Sequence, residues 1–139
     1  MTQHAREIMT TDLVMVDPLT SVIDVAQLMR SEDVGDVLVV EDGRLRGVVT
    51  DRDLVLRVMA EGGRINDRTV ANACSEELVT VTPDDDVDEV LALMRERAVR
   101  RVPVVEEDRP VGIISLGDLA VQRDPGSVLA DISAARANE

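Results

Sequence analysis

Apolar positions along this chain change period every few residues, and each change marks a predicted element. Val14 and Val16 form a Val-x-Val strand that ends at Pro18, since proline lacks the amide donor a strand interior needs. Val22, Val25, Ala26 and Met29 then recur at i, i+3, i+4 and i+7, one apolar stripe of an amphipathic helix. Residues 37–40, the polar turn Glu41-Asp42-Gly43 and residues 45–50 predict strand, turn and strand. Their apolar runs are continuous rather than alternating, which predicts burial on both faces. Leu54, Val55, Val58 and Met59 close the unit with a second helix.

The same order then returns. Val79 and Val81 precede Pro83, the stripe is Val87, Val90, Leu91 and Met94, and strands at 102–105 and 111–115 flank Glu106-Glu107-Asp108. At an offset of 65, residues 14–55 align with 79–120 without a gap, and 17 of the 42 pairs are identical. Shared valine richness cannot place Pro18/Pro83, Gly47/Gly112 and Asp53/Asp118 in register, so the chain is a duplication. The period is too long for a solenoid, which predicts an α/β fold of two packed β-α-β-β-α units. Ser21 with Asp24, and Asp86 with Glu89, suit the first turn of the first helix of each unit. The acidic run around Asp84 to Glu89 is better explained by a helix macrodipole than by cation binding. Residues 61–67, with Gly62-Gly63, read as a linker, and Asp124-Pro125-Gly126 sets off a tail. Val128, Leu129 and Ile132 there predict a short capping or dimer-contact helix.

Composition narrows the function. The 139 residues include no Phe, Tyr or Trp, but 45% are apolar and 24 are valine, enough for an aliphatic core. No apolar run approaches the length of a membrane span, and the polar N-terminus carries no export signature; the expected compartment is the cytoplasm. Cys74 and His4 are single, so neither a disulfide nor a zinc cluster is expected. A net charge of −13 without aromatic stacking platforms argues against nucleic acid. An enzyme is not expected either, because no nucleophile has a base beside it in either unit. All 15 basic residues are arginine. Codon bias in a GC-rich genome explains that composition; phosphate recognition by a planar fork of donors is the sharper alternative. Position is more telling: Arg95, Arg97, Arg100 and Arg101 stand together against Glu96 alone. A polyphosphate would need such a local patch, although Arg95 and Arg97 also suit a helix C-terminus.

The two units agree most at Gly47-Val48-Val49-Thr50-Asp51-Arg52-Asp53 and Gly112-Ile113-Ile114-Ser115-Leu116-Gly117-Asp118. Two explanations stand side by side. A hydroxyl followed three residues later by an acid is a capping box. Alternatively, the hydroxyl, helix-start amides and a nearby arginine bind an anion while the carboxylate accepts from a sugar diol.

These junctions, the duplicated unit and Arg100-Arg101-Val102-Pro103-Val104-Val105 resemble a tandem pair of CBS domains, named for cystathionine β-synthase, over about residues 7–122. The resemblance implies two domains, 7–62 and 73–122, joined by a linker at 63–72 and followed by a tail at 123–139. It further implies packing about a pseudo-two-fold axis into one compact module whose two clefts take AMP, ADP, ATP or S-adenosylmethionine as regulatory ligand, with no cofactor required. It assigns Asp53 and Asp118 to ribose, Thr50 and Ser115 to phosphate, and Arg52, Arg100 and Arg101 to the phosphate surroundings. Adenine would lie near Thr10, Thr11, Val34, Asp36, Val37, Leu38, Ser75, Glu76, Val99, Val102 and Pro103. In the first copy Gly35, Asp36 and Leu38 stand where the second has Arg100, Arg101 and Pro103. The expected function is a stand-alone regulatory module that forms a homodimer and signals to an unidentified protein partner. The alternative is a ligand-independent dimeric scaffold.

Overall fold

The computed structural model describes residues 3–75, 78–123 and 126–134. Glu76, expected near adenine, and Asp124 and Pro125 of the expected separator lie outside them. The chain forms two compact units: one is Leu13–Leu78, the other joins Met1–Asp12 to Val79–Glu139. Both mix helix and strand, as the duplication predicts.

In the Leu13–Leu78 unit, β1 (Met15–Val16) is parallel to β2 (Asp36–Glu41), which is antiparallel to β3 (Arg44–Thr50). Helix α2 (Val22–Glu32) lies between β1 and β2 in sequence, and α3 (Asp51–Asp53) runs on as a π-helical segment, Leu54–Met59. A separate helix, α1 (Ala5–Ile8), belongs to the other unit with α4 (Val87–Arg97), β4 (Arg101–Glu106), β5 (Arg109–Ser115), α5 (Leu116–Arg123) and α6 (Val128–Ala134).

The second unit departs from the expected pattern at its first strand. Residues 79–81 form no strand; Val81 makes a single parallel bridge to Val104. The cause is Pro103. In the first unit the Leu38 amide donates to the Val14 carbonyl at 2.9 Å, but the residue 65 places later is proline, which has no hydrogen to give. What remains is the Val81 amide donating to the Pro103 carbonyl at 3.1 Å and the Val105 amide donating to Val81 at 2.8 Å.

Local rules account for most of the rest. Ser21 Oγ accepts from the Asp24 amide and Asp86 Oδ1 from the Asp88 amide, so both long helices are capped. Asp84 pairs with Arg6, Asp85 accepts from Thr82, and Asp88 pairs with Arg123 at 2.6 Å, so the acidic run is occupied structurally. The stripes bury Val22, Val25 and Met29 in α2 and Val87, Val90 and Met94 in α4. Ala26 is exposed, making the α2 stripe narrower than its spacing predicts. Val37, Leu38 and Val39 are buried in succession, as are Val102, Pro103 and Val104, whereas the partner strand β3 alternates. Its face toward solvent carries Arg44 and Arg46.

Each unit also takes in a segment beyond the aligned repeat. The Ala5 amide donates to Asp85 and Arg6 to Pro83, while Val70 donates to Thr20 and Ala71 to Pro18. Thr10 bridges Ile113, and Ser75 bridges Val48. Every one of these pairs maps onto its counterpart at the same 65-residue offset. The duplication therefore includes residues 3–10 and 68–75, whose side chains share no identity.

Candidate functional site

The two strand-to-helix junctions are built alike. Thr50 Oγ1 accepts from the Asp53 amide at 3.1 Å and Asp53 Oδ2 accepts from the Thr50 amide at 2.9 Å. Ser115 Oγ and Asp118 Oδ2 make the same exchange at 3.0 and 2.9 Å. Both capping boxes are therefore formed, and each aspartate commits one carboxylate oxygen to its own helix.

Their second oxygens differ. Asp53 Oδ1 lies 3.6 Å from Arg57 Nε, one turn further on. At the matching place in the second copy stands Gln122, and among the described residues Asp118 Oδ1 has no hydrogen-bond or ion-pair partner. Asp118 is partly exposed and able to accept from a ligand.

Beside Asp118 opens a cleft of about 610 Å³. Its lining combines Arg100, Arg101, Ser115 and Asp118 with Leu116, Gly117, Val121 and Leu129. Arg100 and Arg101 arrive here because α4 ends at Ala98 in a left-handed turn (φ 53°), after which β4 begins at Arg101. The Leu116 amide donates to the Arg100 carbonyl at 2.7 Å, tying the start of α5 to the arginine segment. Arg100 is exposed and Arg101 half-buried. A guanidinium pair, a hydroxyl and a carboxylate thus share the cleft with large apolar side chains that are all aliphatic.

Four residues singled out from sequence meet in this cleft: Arg100, Arg101, Ser115 and Asp118. Thr50, Arg52 and Asp53 sit at the other junction, in the Leu13–Leu78 unit. There the Asp51 amide donates to the Gly35 carbonyl at 2.9 Å, repeating the Leu116–Arg100 tie, and Asp51 Oδ1 accepts from the Arg52 amide. Asp36 and Asp51 of the first copy stand where the second has Arg101 and Leu116. Val37, Leu38, Val102 and Pro103 are buried in their strands, Val34 and Val99 are partly buried, and Thr10 and Thr11 are exposed. Thr10 and Ser75 spend their backbone on bridges to β5 and β3. Sequence reasoning missed Leu116, Val121 and Leu129 as cleft residues; their apolar character is ordinary for helices, and no local signal marks it as facing a ligand.

The family model for the CBS domain matches residues 5–60 and 70–122. This chain belongs to the CBS domain family. The CBS domain-containing protein YhcV of Bacillus subtilis is 39% identical over 132 residues, 92% of this chain and 94% of that protein. Hypoxic response protein 1 of Mycobacterium tuberculosis is 36% identical over 117 residues, 84% of this chain and 82% of its own length. A crystal structure of Hypoxic Response Protein I with two coordinated zinc ions has a TM-score of 0.78 to this CBS chain at 35% identity, covering 86% of it and 98% of the other. A putative signal-transduction protein with CBS domains from Burkholderia ambifaria has a TM-score of 0.80 at 26% identity, covering 90% and 96%. CBS proteins of this kind are generally regulatory. Among the described residues no group of three His, Cys, Asp or Glu side chains is placed to hold a metal ion, and no helix is long and apolar enough to cross a membrane.

Proposed function

We propose that this protein is a cytoplasmic regulatory module that binds an adenosine nucleotide in the cleft of its second CBS copy and passes its ligand state to a partner protein. The observation that carries this reading is the mixed polar and aliphatic lining of the cleft. Arg100 and Arg101 offer forked donors to a phosphate, each charge-assisted bond contributing roughly 1.5–3 kcal/mol. Ser115 adds a hydroxyl, and Asp118 Oδ1 accepts from a ribose hydroxyl while Oδ2 keeps the cap. Leu116, Val121 and Leu129 offer the base an aliphatic surface, in a chain with no aromatic ring to stack on.

Binding favours one cleft per chain. In the first copy Arg52 and Arg57 share the junction segments with Asp36, Asp51 and Asp53, so a phosphate there meets an acidic surrounding. Asp53 also has both oxygens engaged, one by the cap and one near Arg57.

Thermal melting followed with an external dye tests the assignment, because the chain has no tryptophan. A ligand at one hundred times its Kd raises stability by about 2.7 kcal/mol. Among AMP, ADP, ATP and S-adenosylmethionine, the nucleotides are expected to raise the melting temperature. Asp53→Ala and Asp118→Ala should each lose about 1 kcal/mol without ligand, the cost of a cap, but Asp118→Ala alone should lose the nucleotide response. An equal loss of response in both variants would count against the one-cleft reading.

A specific feature also supports self-association. Val55, Leu56 and Met59 leave half or more of their surface exposed on one short helical segment, which suits a homodimer contact. Elution at monomer mass in size-exclusion chromatography would contradict it.

A further inference from the structure

We infer that α6 is a working wall of the nucleotide cleft and that Leu129 selects ligands bearing a ring over bare polyphosphate. The inference rests on the nucleotide reading above and goes beyond it, because α6 lies outside both family-matched segments, the second of which ends at residue 122. The first copy has no equivalent: residues 61–69, which occupy the corresponding stretch, hold a single 3₁₀ turn at Ile65–Asp67 in place of a two-turn helix.

Helix α6 is fixed by its own residues. Ser127 Oγ accepts from the Ala130 amide at 3.0 Å, capping the start, and Ala130 is 2% exposed. That seating turns Leu129 toward the cleft while Val128 and Ile132 remain outside it, 74% and 66% exposed. Leu129 is nonetheless 44% exposed and Leu116, on α5, is 39% exposed. Two large aliphatic side chains therefore line a concave site beside two arginines and still keep much of their apolar surface in water. A phosphate chain alone satisfies the arginines and leaves that surface wet. A base attached to the phosphates covers it, and the gain from apolar burial falls only to the ring-bearing ligand.

Titration calorimetry with ATP and with inorganic tripolyphosphate tests this on the whole chain. Leu129→Ala is expected to weaken ATP by about fivefold to tenfold while changing tripolyphosphate by less than about twofold. Leu129→Met should restore ATP binding, and Ile132→Ala, on the outer face, should leave both ligands unchanged. Should Leu129→Ala fail to fold, amide hydrogen exchange of the unaltered protein decides the matter: exchange across residues 128–134 should slow on adding ATP and not on adding tripolyphosphate. Unchanged ATP affinity in Leu129→Ala, or equal weakening of both ligands, would overturn the role of Leu129 while leaving the nucleotide reading intact. No binding of either ligand by the unaltered protein would overturn both.

Discussion

Replacing Arg100 and Arg101 together by alanine is expected to weaken ATP by about 100-fold or more, the loss of two charge-assisted interactions. Among the described residues the cleft holds no other cationic side chain, and the chain as a whole carries −13, so no neighbouring charge makes up the lost attraction. Arg100 is exposed and Arg101 half-buried at the edge of β4, so the ligand-free melting temperature should fall far less than the affinity. The comparison is calorimetric, with the ligand-free melt as control for folding. Lysine at both positions should recover only part of the affinity, because an ammonium keeps the charge but not the fork. ATP affinity within about threefold of the parent in the double alanine variant, well short of the loss of even one such interaction, would remove the arginines from the site.

Gly47→Val is expected to lower the melting temperature by on the order of 10 °C, corresponding to about 3 kcal/mol. A β-carbon on Gly47 would come within 2.9 Å of Cys74 Sγ, 3.2 Å of Cys74 Cβ and 3.0 Å of the Ser75 carbonyl oxygen. The last of these is backbone, and the same residue donates its amide to Val48 at 3.1 Å. Relief of the clash therefore pulls residues 73–75 off β3 and breaks that bond, adding its loss to the overpacking. The matched position behaves differently. At Gly112 the new atom would meet Met9 Sδ and Cγ at 2.5 and 2.7 Å, a flexible thioether chain able to swing aside. Gly112→Ala should accordingly cost less than Gly47→Ala, although Met9 Cβ at 3.0 Å limits the relief. Melting of the three variants by calorimetry checks the order, and a Gly47→Val melt within about 2 °C of the parent, under 1 kcal/mol, would contradict the clash.

What could be read from the sequence was what short-range rules govern. The helix stripes, both capping boxes, the Asp42-Gly43 turn with its two positive φ angles of 54° and 79°, and the pairing of the two copies all follow from spacing of a few residues or from one fixed offset. The difference between Arg100-Arg101 and Gly35-Asp36 was equally visible, and it bears on where an anion goes. Other features depend on partners far along the chain. Residues 3–10 and 68–75 occupy equivalent places through backbone hydrogen bonds, which leave no side-chain identity to align. The missing strand at 79–81 follows from Pro103, a residue more than twenty positions away whose lost amide matters only once the pairing is known. Leu129 read as part of an apolar tail helix, as Val128 and Ile132 did. Only its seating through Ala130 separates the one that faces the cleft from the two that do not.

The sharpest test of a one-cleft nucleotide module is titration calorimetry of the intact chain with ATP. A cleft in the second copy that takes phosphate through Arg100 and Arg101, and a first copy with Asp36 and Asp51 in place of Arg101 and Leu116, predict saturable binding at about one nucleotide per chain. Two equivalent sites per chain, or no heat of binding and no melting shift with millimolar AMP, ADP or ATP, would contradict it.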